Sequence, residues 1–278
     1  MIRQASDEGV TEIIGFVLIM GLVAVVLFIM ALVVPPMTGA EMEGELMQDA
    51  IRQISSVKYD MDLLWENKEP MAGVNRSGLV QLSSVKKGKF AMLPVFDPVI
   101  GSAMMTVERS KTNLAITEKE GDDTIKKYVS YNNLTRLTYV TANNYVDNAV
   151  VMYDGGAVFF GTANSQSLIL APSVGKSSET SMLIVLPILS SGTKSVSSNL
   201  FGVIEYAVEK VDSSASFTCP TIQIWSDSAG VTAGWGSVLR QSGWTETSPG
   251  SGRWSYSGTM TVTVMEVQYS MSVRGAYY

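Results

Sequence analysis

"GVTEIIGFVLIMGLVAVVLFIMALVVPP", residues 9–36, decides how the rest of this chain is read. Residues 13–34 are 22 consecutive positions without a charge or a polar side chain. As a helix they would span about 33 Å, the thickness of a bilayer core. Gly15 and Gly21 are the only weak helix formers inside the run, and glycine is tolerated where a helix has lipid or other helices as neighbours. A cleaved secretory signal is the rival reading, because Thr38-Gly39-Ala40 supplies small residues at a possible cut. Against it, the run exceeds an h-region of about 7–15 residues, and Arg3 is outweighed by Asp7, Glu8 and Glu12. Orientation follows the basic residues: Arg3 precedes the run, whereas residues 35–50 carry Glu41, Glu43, Glu45 and Asp49 and no base. That places the amino terminus inside and the bulk of the chain outside.

The residues around this run carry a resemblance. Asp7-Glu8-Gly9-Val10-Thr11-Glu12-Ile13-Ile14-Gly15, leading directly into the apolar helix, resembles the amino terminus of archaeal type IV pilins and pilin-like surface proteins, with a class III signal peptide. The resemblance covers about residues 7–66. It implies a polar leader, residues 1–9, removed by a prepilin peptidase between Gly9 and Val10. It further implies a membrane and assembly helix over 10–36, in which Ile13, Gly15, Phe16, Gly21, Phe28, Pro35 and Pro36 meet lipid in the precursor and copies of the chain, or other pilin-like subunits, in a filament. Family members often have a basic residue before the small one at the cut; here it is Glu8.

Outward from the run, Pro35 and Pro36 predict a kink or short break, since proline lacks the backbone donor and crowds the preceding turn. A second, amphipathic helix over 37–69 is expected, with Met42, Leu46, Ala50, Ile54, Val57, Met61 and Leu64 on one face. That face suits packing on the chain's own body and, as the resemblance implies, on neighbouring subunits. After Pro70 come short β-type runs, among them "GLVQLSSV", "KFAMLPVF", "SAMMTVERS", "TIKKYVSY", "AVVMYD", "AVFFGT", "MLIVLPIL" and "LFGVIEYAVEKV". Asp154-Gly155-Gly156 is a hairpin signal, and the Ser/Gly-rich stretches near 173–181 and 190–198 read as turns. A short helix is expected over 232–241, with Trp235, Val238 and Leu239 on one face. The predicted class is therefore α+β: a long amino-terminal helix, then a single, mainly antiparallel, sandwich-like ectodomain over 70–278.

Composition narrows the chemistry. The net charge is −6 and no basic stripe occurs, which argues against a nucleic-acid partner. Histidine is absent, removing the commonest general base and metal ligand. The lone cysteine, Cys219, has no partner for an intrachain disulfide. Gly175-Lys176-Ser177 lacks the first glycine of a phosphate loop, which would fall at Leu170. Ser83-Ser84-Val85-Lys86 and Ser191-Gly192-Thr193-Lys194 match an S-x-x-K spacing without a helical start to aim the hydroxyl. Glu118, Glu120, Asp122 and Asp123 lack the spacing of a calcium loop. Trp225, Trp235, Trp244 and Trp254 fit core packing better than a sugar-stacking surface. No catalytic residue, metal or cofactor is assigned. Two sequons, at Asn75 and Asn133, are glycosylation candidates.

These observations point to a non-enzymatic structural subunit of a type IV pilus-like surface filament, adhesive or otherwise. The head of about 209 residues (70–278) suits a minor or specialised subunit. The alternative is a solitary single-pass surface protein whose β domain binds a partner or spaces the envelope.

Overall fold

The computed structural model describes residues 4–67, 74–84, 97–120, 124–132, 134–197 and 200–276. Its first element is a single helix, α1 (Gln4–Glu66), of 63 residues, with Pro35 and Pro36 inside it. Of the kink or short break expected here, the break is not found. Proline's fixed φ is itself helical, so the helical assignment can continue through both rings, although each removes one backbone donor and crowds the turn before it. Two adjacent prolines therefore make one local gap, and regular turns on both sides bridge it. Thr38, a turn beyond, donates its hydroxyl to the carbonyls of Val34 at 2.9 Å and Pro35 at 3.3 Å. Gly9 and Val10, either side of the expected cut, lie within the same helix.

The β body consists of three sheets. The first runs β1 (Arg76–Gln81), β12 (Phe201–Thr218), β16 (Thr261–Gly275), β10 (Ser181–Leu189) and β9 (Val174–Ser178). The second runs β11 (Lys194–Ser197), β2 (Ser102–Arg109), β5 (Thr135–Ala142), β6 (Val150–Asp154), β7 (Ala157–Gly161) and β8 (Gln166–Leu170). The third runs β14 (Trp244–Glu246), β15 (Arg253–Tyr256), β13 (Thr221–Trp225), β3 (Asn113–Glu120) and β4 (Thr124–Tyr131). Among the described residues every pairing is antiparallel except β10 with β16. The class is α+β, as the sequence predicts. The Ser/Gly-rich stretches read as turns contain β9 and β11 instead; both pair at a sheet edge through backbone, which asks little of the side chains. "KFAMLPVF" lies outside the described residues.

Two apolar clusters fill the body. One joins the lower half of α1 to the first and second sheets, through Ile54, Val57, Met61, Val80, Tyr139, Tyr153 and Tyr269. The other lies under α2 (Ala229–Gln241) and the third sheet, through Ile116, Phe159, Ile222, Trp235, Trp244 and Trp254. Strand β6 serves both, sending Val151 and Tyr153 to the first and Val150 and Met152 to the second, so all five of its residues are buried. It turns into β7 at Gly155 and Gly156, whose φ values of 57° and 90° suit glycine. Helix α2 begins three residues earlier than expected because Ser228 caps it, accepting from the Val231 amide at 3.3 Å.

Candidate functional site: an apolar helix and its seat

Between Ile13 and Val33 all seventeen large apolar side chains of α1 are exposed, Phe16 at 65%, Leu18 at 68% and Phe28 at 65%. No other element of the described structure covers them. Burying a large apolar side chain is worth about 1.5–3 kcal/mol, and these retain roughly half their surface. Leaving the rod in water would thus cost on the order of 20 kcal/mol. This is the one described helix long and apolar enough to cross a membrane, compatible with a single-pass anchor.

The head begins at Gly39, the first buried residue of α1. A side chain there would overlap the ring of Tyr145, which lies on the helix in the loop between β5 and β6. The Tyr145 hydroxyl in turn accepts from the Val99 amide at 2.8 Å, tying in the loop ahead of β2. One turn along, Glu43 is buried at 1% exposure. Its Oε1 accepts from the Asn144 amide at 2.6 Å, and its Oε2 from the amides of Tyr145 at 2.9 Å and Val146 at 3.1 Å. A carboxylate caught by three backbone donors is a charge-assisted latch. Gly101 leaves room for it, since a Cβ there would crowd Glu43.

Above the latch the apolar stripe is seated as predicted, with Leu46, Ala50, Ile54, Val57, Met61 and Leu64 all at 2% exposure or less. Met42, expected on this face, is only half-buried; Glu43 occupies the buried place in that turn. Polar ties close the upper end. Tyr269 Oη donates to the Met61 carbonyl at 2.7 Å, and Tyr206 Oη to Asp60 at 2.8 Å. Buried Lys58 pairs with Asp62 at 2.5 Å, and Ser173 Oγ donates to the same carboxylate at 2.8 Å. Burial raises the tyrosine pKa values here: Tyr269 by burial and then Asp62, Tyr206 by burial and then its bond to Asp60.

A second polar cluster joins the second and third sheets. Asp154, fully buried, accepts from Ser110 at 2.5 Å, Thr112 at 3.0 Å, and Arg136 Nε and Nη2 at 2.9 and 2.7 Å. Arg136 reaches on to both oxygens of Asp227, at 3.1 and 2.6 Å. Burial pushes the Asp154 carboxyl up against the pull of Arg136, while the hydrogen bond to Arg136 lowers Asp227. The buried Asp154 carboxylate is bonded wholly within the protein, so the cluster reads as a staple between sheets.

The remaining candidates are dispersed. Gly175, Lys176 and Ser177 lie on strand β9. The Ser191 hydroxyl donates to the Met271 carbonyl at 2.7 Å, and Ser84 is buried against Gly101. Glu118 accepts from the Thr218 amide at 3.0 Å and pairs with Lys126, and Asp122 and Asp123 lie outside the described residues. Among the described residues no group of three or more acidic, cysteine or histidine side chains could hold a metal. Trp235, Trp244 and Trp254 are core residues, and Trp225 is 41% exposed. Cys219 is exposed. Asn75 is exposed just ahead of β1, and Asn133 lies outside the described residues. Sequence reasoning missed Glu43, the loops that grip it, and the Asp154 staple. The signal for Glu43 was its place in the stripe, four residues after Gly39 and three before Leu46.

No family model matches the chain. No curated protein and no solved structure gives a significant match either.

Proposed function

We propose that this chain is a structural, non-enzymatic subunit of an archaeal type IV pilus-like surface filament, inserted in the membrane by residues 13–34 and assembled by packing of those helices. The observation that carries the reading is the division of α1: an apolar rod exposed on all sides from Ile13 to Val33, continuous with a half seated in a β head. The motif at residues 7–15 supports it through its resemblance to pilin amino termini. In the precursor the rod's surface meets lipid. In a filament, side chains of other copies would replace lipid, and close packing rather than transfer from water would supply the attraction. Gly15 and Gly21 are the places in the rod where two backbones could approach most closely. The head would then face outward, with Asn75 available to a glycosyltransferase.

Mass spectrometry of the native amino terminus, with electron microscopy of cells making a tagged chain, tests this. A chain starting at Val10 and found in fibres is expected. An uncut chain spread over the cell surface would replace the filament reading with a solitary anchor, and a chain starting at Glu41 would mean a secretory signal.

A further inference from the structure

Helix α2 and the third sheet enclose a cleft of about 560 Å3, within the range of about 300–1,000 Å3 that small-ligand sites occupy. Its walls are fixed by local bonds. Ala229, Ala233 and Gly236 put small residues on the α2 face that lines it, and a side chain at Gly236 would overlap the Trp254 ring. Another wall is the turn between β14 and β15. There the Gly252 carbonyl accepts from the Ile224 amide at 2.8 Å, and the Gly252 amide donates to Glu246 Oε1 at 3.0 Å. Three groups lining the cleft are uncommitted. Trp225, the last residue of β13, is the one exposed tryptophan of the five, at 41%. The Arg240 guanidinium lies 5.5 Å from the centre of the Trp254 ring, and among the described residues none accepts its N–H groups. Glu246 Oε2 likewise has no donor among the described residues.

A flat apolar ring beside one free cationic donor and one free carboxylate oxygen selects among ligand classes. An anion would meet the charge of Glu246, and a wholly apolar ligand would leave both charges unpaired. A nucleic acid needs a basic track that the chain lacks. A pyranose ring answers all three groups: its C–H face lies on an indole, and its hydroxyls accept from a guanidinium and donate to a carboxylate. We propose that this cleft is a carbohydrate-binding site for a neutral pyranose unit of a glycan. Trp225 is the stacking platform, and Arg240 and Glu246 are the hydroxyl-binding pair. The site stands independently of the filament reading, since a single head builds the whole cleft and α1 contributes no residue to the apolar cluster beneath it.

The test uses the full chain in phosphatidylcholine nanodiscs, free of glycosidic detergent, titrated with maltotriose, cellotriose, mannotriose, lactose and sulfated lactose and read by saturation-transfer NMR. At least one neutral sugar is expected to bind. Trp225→Ala should weaken that binding about tenfold or more, and Arg240→Gln about 10- to 150-fold. Trp225→Phe, which keeps a smaller ring, should fall between wild type and Trp225→Ala. Tyr128→Ala removes an aromatic 56% exposed on β4, outside the cleft, and should change nothing. Circular dichroism melting shows whether each variant is folded. Failure of every neutral sugar to bind, or binding that Trp225→Ala and Trp225→Phe leave unchanged, overturns the site. Tighter binding of sulfated lactose than of any neutral sugar overturns the neutral assignment. Sugar binding by a chain that forms no fibres overturns the filament reading alone, and fibres of a chain that binds no sugar overturn the cleft alone.

Discussion

Replacing Glu43 with glutamine isolates the latch between helix and head. The carboxylate holds three amides with two oxygens. Glutamine keeps the volume but has one acceptor, so its best rotamer aims the oxygen at Tyr145 and Val146 and turns its NH2 group toward the Asn144 amide. Donor then faces donor. One bond to a charged acceptor is lost, worth about 1.5–3 kcal/mol, and the other two fall from charge-assisted to neutral strength. A local destabilisation of about 2–3 kcal/mol follows, because Glu43 is buried at 1% exposure and water cannot easily substitute. At one decade per 1.4 kcal/mol, amide exchange at Asn144, Tyr145 and Val146 should accelerate roughly 30- to 150-fold. The apolar stripe above the latch should hold, so amides facing Ile54 and Met61 should be unaffected. Hydrogen exchange read by mass spectrometry on the full chain in detergent, with Gln48→Ala on the exposed helix face as control, measures both. Unchanged exchange at 144–146 would refute the reasoning, since it would mean that the three amides do not depend on this carboxylate. A uniform rise across the head would refute the locality of the effect.

Three other outcomes follow from the same geometry. Gly39→Ala gains helix propensity of about 1 kcal/mol but drives a methyl into the Tyr145 ring; overpacking of about 1–3 kcal/mol should exceed the gain and expose the Val99 amide, read by its exchange. Ile54→Ala, at a site with 0% exposure, should cost about 2–5 kcal/mol and lower the thermal midpoint of the head, measured by circular dichroism. Raised tyrosine pKa values at Tyr139, Tyr153, Tyr206 and Tyr269 give alkaline sensitivity: this stability is present below the unfolded value of about 10 and is lost as pH rises towards the folded values. Tyr269→Phe should lower stability at neutral pH by about 0.5–1.5 kcal/mol yet flatten its fall above pH ~10, seen in denaturant midpoints across that range.

What the sequence made legible was whatever one local period encodes. The uncharged run, the stripe from Leu46 to Leu64, the Asp154 turn and the helix at Trp235 each repeat a signal within a few residues, and each stands where expected. What escaped it was set by distant partners. Strand β10 joins β16 in parallel, pairing Ser181 with Thr261 eighty positions away, and no local pattern distinguishes that from an antiparallel neighbour. Strands β9 and β11 have serine-rich sequences that read as turns until a sheet edge offers them a backbone ladder. Asp154 was read as a turn former, although its buried carboxylate gathers Ser110 and Thr112 from the β2–β3 connection and Arg136 from β5.

The proline pair left a kink or a short break open, and the structure keeps the helix continuous. A rule about single residues assigns Pro35 and Pro36 a kink or a break, because each loses a hydrogen bond and crowds the preceding turn. The outcome depends on what the turns on either side retain, and here they carry the helix through. A break at this point would have let the head swing freely on the rod. An unbroken helix, locked to the head by Glu43 and the Tyr145 ring within two turns of the prolines, makes rod and head one lever. Beyond the prolines, the loops at 97–101 and 143–148 hold α1 on the head through Gly39 and Glu43.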